Sequence, residues 1–285
     1  MNEADHAWTL HISDAGAAIA QLATTPIASH EPGGLQQLGM GTLFEIGASR
    51  FLVTAGHVVK ESQKNDWPLS VFDAAAEDSP VQPVTLLGNA CRIDEEAYDV
   101  ALIELHQPVI EELPRRQFLH LQDVEIGTLQ PGFFCIFGYA RNMAKCYVNG
   151  SEFYLEPFAY GGPLFRGETR AFGGYDRRHH ILIERSELGV IGRDGEPGAL
   201  PEDLSGISGC PVFQVWRSGI ARSEWASDQI RIVGVLTGGH REAFVVTRWG
   251  HVIDLLWRAF PGLRPIMQLN GRTPRDVTGP AVSAN

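Results

Sequence analysis

Short apolar runs separated by Gly, Pro, Asn and Asp constrain this chain more than any other feature. They read GTLFEIG (41–47), RFLVTAGHVV (50–59), VQPVTLLG (81–88), DVALIEL (99–105), GFFCIFGY (132–139), EFYLEPF (152–158), HILIER (180–185), PVFQVW (211–216), IRIVGVLTGG (230–239) and AFVVTRW (243–249). Little helical periodicity lies between them. That spacing predicts an all-β protein, a sandwich or a pair of barrels, and argues against alternating βα units. Two helices frame the strands. Ser13 and Asp14 precede AGAAIAQLA and predict a short capped N-terminal helix, and WGHVIDLLWRAF (249–260), followed by Pro-Gly, predicts a C-terminal one.

The stretches 61–80 and 186–206 read as long irregular loops, and the tail from about 269 as polar and mobile. HQPVIEELPRR (106–116) is polar, carries two prolines and separates two strand groups of similar size. The expected division is an N-terminal extension (1–25), a first β-unit (26–112), a second β-unit with the C-terminal helix (113–262) and a tail (263–285). A cleft between two such units is where a site is expected.

The net charge of −11 and pI near 5.3 argue against a phosphate-backbone partner, so no nucleic acid is expected. The N-terminus has Glu3 and Asp5 and no basic segment before an apolar run, so it does not read as a secretory leader. No stretch reaches bilayer-spanning length, and no membrane partner is expected. Cys91, Cys135, Cys146 and Cys210 are sparse and form no CxxC pair. They predict four free thiols in a cytoplasmic protein, and nothing demands the bridge that could be drawn, Cys135–Cys146.

Three segments carry the chemistry. TAGHVV ends a β-run and then presents His57, DVALIEL opens an apolar strand with Asp99, and GISGCPVF places Ser208 between Gly206 and Gly209. A His at a strand end, an Asp before a strand and a Ser in a glycine turn are each ordinary structural residues. Together they are the parts that serine-based hydrolysis requires: a base, a carboxylate that orients it, and a tight turn whose N–H groups face inward.

The order His, Asp, Ser is that of the two-barrel serine proteases. On these three motifs the chain resembles the chymotrypsin/trypsin-like family over roughly residues 26 to 260. TAGHVV is similar to that family's Thr-Ala-Ala-His segment, DVALIEL to its Asp-(Ile/Val)-Ala-Leu strand, and GISGCPVF to its Gly-Asp-Ser-Gly-Gly-Pro turn. The resemblance implies two antiparallel β-barrels of six-stranded type and a serine endopeptidase. His57 would be general base and then acid, Asp99 would hold its tautomer, and the N–H groups of Gly206 and Ser208 would form an oxyanion hole. Thr237 aligns with a family serine whose hydroxyl meets the catalytic Asp. IVGVLTGG resembles the strand that walls the specificity pocket, which gives substrate contacts to Leu236, Gly238 and Gly239. Counting back six residues from Ser208 puts Glu202, beside Asp203, at the pocket floor, and implies a preference for Arg or Lys before the cut. The competing reading is a solvated loop whose acids face water.

Two departures stand out. Ile207 replaces the acidic residue that receives a new N-terminus on zymogen cleavage, so that activation route is absent, and Cys210 replaces a glycine and reads as a small buried apolar residue. The family's disulfides do not map here either. The chain therefore resembles the intracellular, disulfide-free bacterial branch, with activity gated by a partner or signal. The alternative is a protease-fold interaction module that does not use its triad. An α/β-hydrolase esterase fails on chain order and on the missing strand–helix alternation. No metal or organic cofactor is implied. RRHH (177–180) reads as a solvated strand start, since adjacent strand residues point to opposite sides, and His240 reads as loop-exposed.

Overall fold

The computed structural model describes residues 3–73, 81–94, 98–141, 144–147, 152–155, 158–186, 190–191, 200 and 203–272. Helix α1 (Glu3–Ala23) leads into β1 (Thr24–Glu31), β2 (Gly34–Ile46), β3 (Ser49–Ala55), α2 (Gly56–Asn65), β4 (Leu69–Phe72), β5 (Pro83–Thr85), β6 (Cys91–Asp94), β7 (Val100–Glu104) and α3 (Gln107–Glu111). There follow β8 (Gly132–Gly138), β9 (Ala144–Tyr147), β10 (Glu152–Leu155), β11 (Phe158–Pro163), β12 (His180–Glu184), β13 (Val190–Ile191), β14 (Pro211–Arg217), β15 (Arg231–Gly239) and β16 (Ala243–Arg248). Helices α4 (Trp249–Ala259) and α5 (Arg264–Leu269) close the series.

The strands form two seven-stranded antiparallel sheets, in the orders β5-β4-β1-β2-β3-β7-β6 and β12-β16-β15-β14-β8-β11-β13, with β9 and β10 as a separate pair. In the second sheet an isolated antiparallel bridge, Leu164 to Ile183, links the exit of β11 to β12 at the other end of the order. The mostly β reading from sequence therefore holds, on seven-stranded rather than six-stranded sheets.

Period-two burial explains the arrangement. In β3, Phe51 and Val53 enter a core shared with Phe134, Ile136, Val212, Val235 and Trp249 of the second half. Leu52, one residue out of phase, faces the other side and packs with Ile27, Leu43, Val71 and Ile103. The first sheet thus buries both faces, one of them against the second sheet. Each fully buried Leu, Ile or Phe contributes roughly 1.5–3 kcal/mol by removal from water.

Several elements differ from expectation. Helix α1 begins at Glu3, so Ser13 is not a cap but a buried mid-helix residue, because Trp8, Ile12, Ile19 and Ala23 carry the apolar face straight past it. The 61–80 loop contains the last turn of α2 and strand β4, and the 186–206 loop contains β13. Residues 264–269 are helical with Met267 buried, so the C-terminal tail starts later than expected. The 106–116 connection is no bare linker, since it forms α3 and buries Val109, Leu113 and Arg116.

Candidate functional site

Helix α2 starts at Gly56, directly after β3, so His57 lies in a first helical turn rather than at a strand end. The N-cap is Ala55, which has no side chain able to accept from the orphan N–H groups of that turn. Asp99 takes over this duty. Its Oδ1 accepts from the His57 backbone N–H at 2.8 Å, its Oδ2 lies 2.8 Å from His57 Nδ1, and its carbonyl accepts from Gly56 N–H at 3.0 Å. Facing a carboxylate, Nδ1 carries the proton, which leaves Nε2 as the basic nitrogen. Asp99 adopts φ +53°, a left-handed conformation that Asp tolerates better than most residues. The imidazole side chain is 45 % exposed and the carboxylate 27 %. A solvent-facing base is backed by a half-buried acid.

Ser208 sits in the connection that enters β14. Gly206 has φ +86° and Gly209 φ +92°, backbone that L side chains rarely adopt. Four carbonyls of this turn are occupied. Ser205 O accepts from Arg141 N–H (2.8 Å), Gly206 O from Gln37 Nε2 (2.9 Å), Ile207 O from Cys210 N–H (3.1 Å) and Ser208 O from Met40 N–H (2.7 Å). Among the described residues, neither the Gly206 nor the Ser208 amide donates to another backbone carbonyl. The Ile207 N–H between them is taken up by Leu204 O (3.4 Å), which leaves the Gly206 and Ser208 N–H groups, two residues apart, to receive an anion.

The two halves meet through Met40 and Gly39. Met40 O accepts from Thr54 Oγ1 at 2.6 Å, three residues before His57, while Met40 N–H holds Ser208 O. A Cβ placed on Gly39 would lie 2.6 Å from Val58, the neighbour of His57, and 2.7 Å from Ser208 O. The structure thus bonds His57 to Asp99 directly and seats the Ser208 turn against β2, whose Met40 carbonyl also holds Thr54 near the end of β3.

Other expected site residues fall differently. Thr237 does not touch Asp99: its Oγ1 is 3.1 Å from Thr247 Oγ1, and Thr247 donates to Tyr98 O at 2.8 Å. Its support reaches Asp99 only through Thr247 and the preceding residue. Leu236 does not wall a pocket, since its side chain is in the core and its backbone clamps the turn, O to Gly209 N–H (2.7 Å) and N–H to Cys210 O (2.8 Å). Gly238 and Gly239 leave room, their nearest neighbours to an added Cβ being 3.7 and 4.0 Å away. Asp203 is exposed and bound to its own turn, accepting from Ser205 N–H (2.8 Å) and Ser205 Oγ (2.5 Å). Those bonds lower its pKa. Glu202 lies outside the described residues. Where the β15–β16 hairpin meets Phe165, an open cleft of about 740 Å³ is lined by Arg166, Arg185 and Arg241 together with Glu168, Glu184 and Glu242.

The cysteines near the site are unreactive. Cys210 is buried, with its thiol pushed well up by desolvation, and Cys135 is a buried free thiol pushed up to about 12, so the Cys135–Cys146 bridge is not formed. Burial raises Cys91 to about 11. None of these three is a thiolate at neutral pH, which leaves Ser208 as the nucleophile candidate of its turn. Among the described residues no group of three or more His, Cys, Asp or Glu could hold a metal ion, and no helix is long and apolar enough to cross a membrane.

RRHH is a strand start, entering β12 at His180 with Arg177 and Arg178 exposed as expected, but its histidines are half-buried. His179 Nδ1 lies 3.1 Å from His251 Nε2, and both rings pack on Tyr98. His240 is exposed, as expected, with its ring edge on Phe172. Sequence reasoning missed Gln37 and Arg141, which hydrogen-bond to the Ser208 turn, Tyr98, which precedes Asp99, and His251, which stacks on Tyr98. Their only sequence signal is a polar or aromatic residue inside or beside an apolar run. Compared with family models and with curated proteins, the chain matches none.

Proposed function

We propose that this protein is a trypsin-like serine endopeptidase built on two barrel-like β-units, 26–112 and 113–262, acting in the cytoplasm on protein or peptide substrates. The observation that carries the reading is the Asp99 carboxylate bridging the backbone and Nδ1 of His57, with the Ser208 turn seated on the same Met40 backbone. In this reaction Ser208 Oγ attacks the scissile carbonyl carbon while His57 Nε2 takes the hydroxyl proton, and Asp99 stabilises the imidazolium. The oxyanion forms against the Gly206 and Ser208 N–H groups. Collapse expels the amine, which takes the proton from His57. Water then enters by the same path and releases the acid.

A fluorophosphonate probe followed by peptide mass spectrometry tests this directly. Labelling of Ser208 that is lost in Ser208→Ala, with cleavage-site profiles that vanish in the same variant, supports the enzyme. No labelling under any condition overturns it in favour of a protease-fold interaction module.

A further inference from the structure

The sequence removes one route to an ordered Ser208 turn, because Ile207 stands where an acidic anchor would be, and its side chain is buried. The turn is nonetheless held from outside itself. The Gln37 amide on β2 spends both of its protons on carbonyls, one on Gly206 O and one, at short range, on Tyr139 O. Gln37 is buried, and its Oε1 has no partner, so the side chain is placed for its donors alone. Arg141 completes the brace. Its N–H holds Ser205 O at 2.8 Å and its Nε donates to Gln37 O at 2.8 Å.

Peptide planarity turns these bonds into orientation. In a trans peptide the C=O and N–H point opposite ways, so fixing Ser205 O toward Arg141 fixes the Gly206 N–H away from it. The Ile207 O to Cys210 N–H bond does the same for the Ser208 N–H. Resting on the proposed serine-hydrolase reading, we infer that Gln37 and Arg141 are positioning residues that lock the 205–208 turn with its two N–H groups outward. The site is then set in the folded chain, without chain cleavage to supply a new N-terminus.

The test pairs a catalytic readout with one that needs no catalysis. Gln37→Met keeps the volume and removes both donors. Hydrogen exchange is followed for the Arg141 amide and for residues 203–210, and fluorophosphonate labelling of Ser208 is resolved into probe affinity and maximal rate. The expected result is a folded variant whose turn and Arg141 amide exchange at least about tenfold faster, with the maximal labelling rate down at least about tenfold and the probe affinity unchanged. Unchanged exchange overturns the lock, and so does faster exchange with unchanged labelling. If wild type itself is not labelled, the serine-hydrolase reading fails, and exchange alone then decides whether the lock exists. Should Gln37→Met not fold, Arg141→Ala, which removes the Nε bond to Gln37 O and leaves the Arg141 N–H in place, is read by the same criteria.

Discussion

The Tyr98 ring lies face to face on the His251 imidazole, with 3.7 Å between centroids and 17° between planes. Tyr98 immediately precedes Asp99, whose backbone is in the left-handed region, and the Tyr98 carbonyl accepts from Thr247. The stack, the threonine bond and the Gly56 N–H bond to Asp99 O together hold a conformation that costs of order 1–3 kcal/mol for a residue with a side chain.

That stack makes stability depend on pH. Burial, with the positive surroundings of His179, His180 and Arg248 set against Asp94, lowers the His251 pKa to about 3. An unfolded His titrates near 6.5, so between about pH 3 and 6.5 the unfolded chain binds a proton that the native one refuses. This contribution is complete above pH 6.5 and is lost as pH falls. Urea unfolding at pH 7 and pH 5 should show wild type losing about 2 kcal/mol more than His251→Phe, which keeps the ring and discards the proton site. Parallel losses in the two proteins would assign the acid sensitivity elsewhere.

For the chemistry, Ser208→Ala and His57→Ala should each abolish peptidase activity, by about 10⁴-fold or more, with Tm and far-UV circular dichroism unchanged. Asp99→Asn should cost about a thousandfold or more with the first turn of α2 still capped, because the amide keeps an Oδ1 that accepts from the His57 N–H. Full activity in Ser208→Ala would remove the serine from the mechanism.

The strands that carry the site were legible because their pattern is local. DVALIEL and PVFQVW gave β7 and β14 nearly to the residue, and WGHVIDLLWRAF gave α4. Strand β1 was not, because TTPIASHE holds a proline and mostly polar side chains, yet residues 24–29 are buried between β2 and β4. Its burial is decided by partners distant in the chain. The braces behind the site were illegible for the same reason. Gln37 reaches a glycine 169 residues away, and no spacing in the sequence announces such a pair.

Arg116 is a second case, and it predicts a stability effect. Its guanidinium is buried and donates to the carbonyls of Phe72 (2.9 Å), Gln21 (2.8 Å), Thr24 and Asp73 (3.0 Å), tying the end of α1 to β1 and β4. Burial lowers its pKa, an effect that the neighbouring Tyr139 and Asp73 oppose. Arg116→Ala strands several buried carbonyls and should cost about 3–5 kcal/mol, a fall of roughly 10 °C in Tm. Arg116→Lys should recover little of it, since an ammonium cannot span the fork. A Tm within about 2 °C of wild type would show that water replaces the guanidinium.

The charge on Asp203 should not set specificity. Its carboxylate is exposed and occupied by Ser205. Asp203→Ala should therefore leave the ratio of kcat/KM for Arg-ending over Leu-ending peptides within about twofold. A collapse of that ratio would restore Asp203 to the substrate pocket.

Gly209 gives the sharpest steric prediction. At φ +92°, an added Cβ would lie 1.9 Å from Met40 O and 2.4 Å from Thr54 Oγ1, neither of which can withdraw without breaking the bond between them. Gly219, at φ +101°, has nothing within 4 Å of the same position. Gly219→Ala thus measures the conformational strain alone, about 1–2 kcal/mol, while Gly209→Ala adds a collision that must push the Ser208 turn off β2. Chemical denaturation should place Gly209→Ala well below Gly219→Ala in stability. Labelling of Ser208 should fall in the first variant and persist in the second. Equal stabilities, or labelling that survives in Gly209→Ala, would mean that the turn does not depend on its seat against Met40.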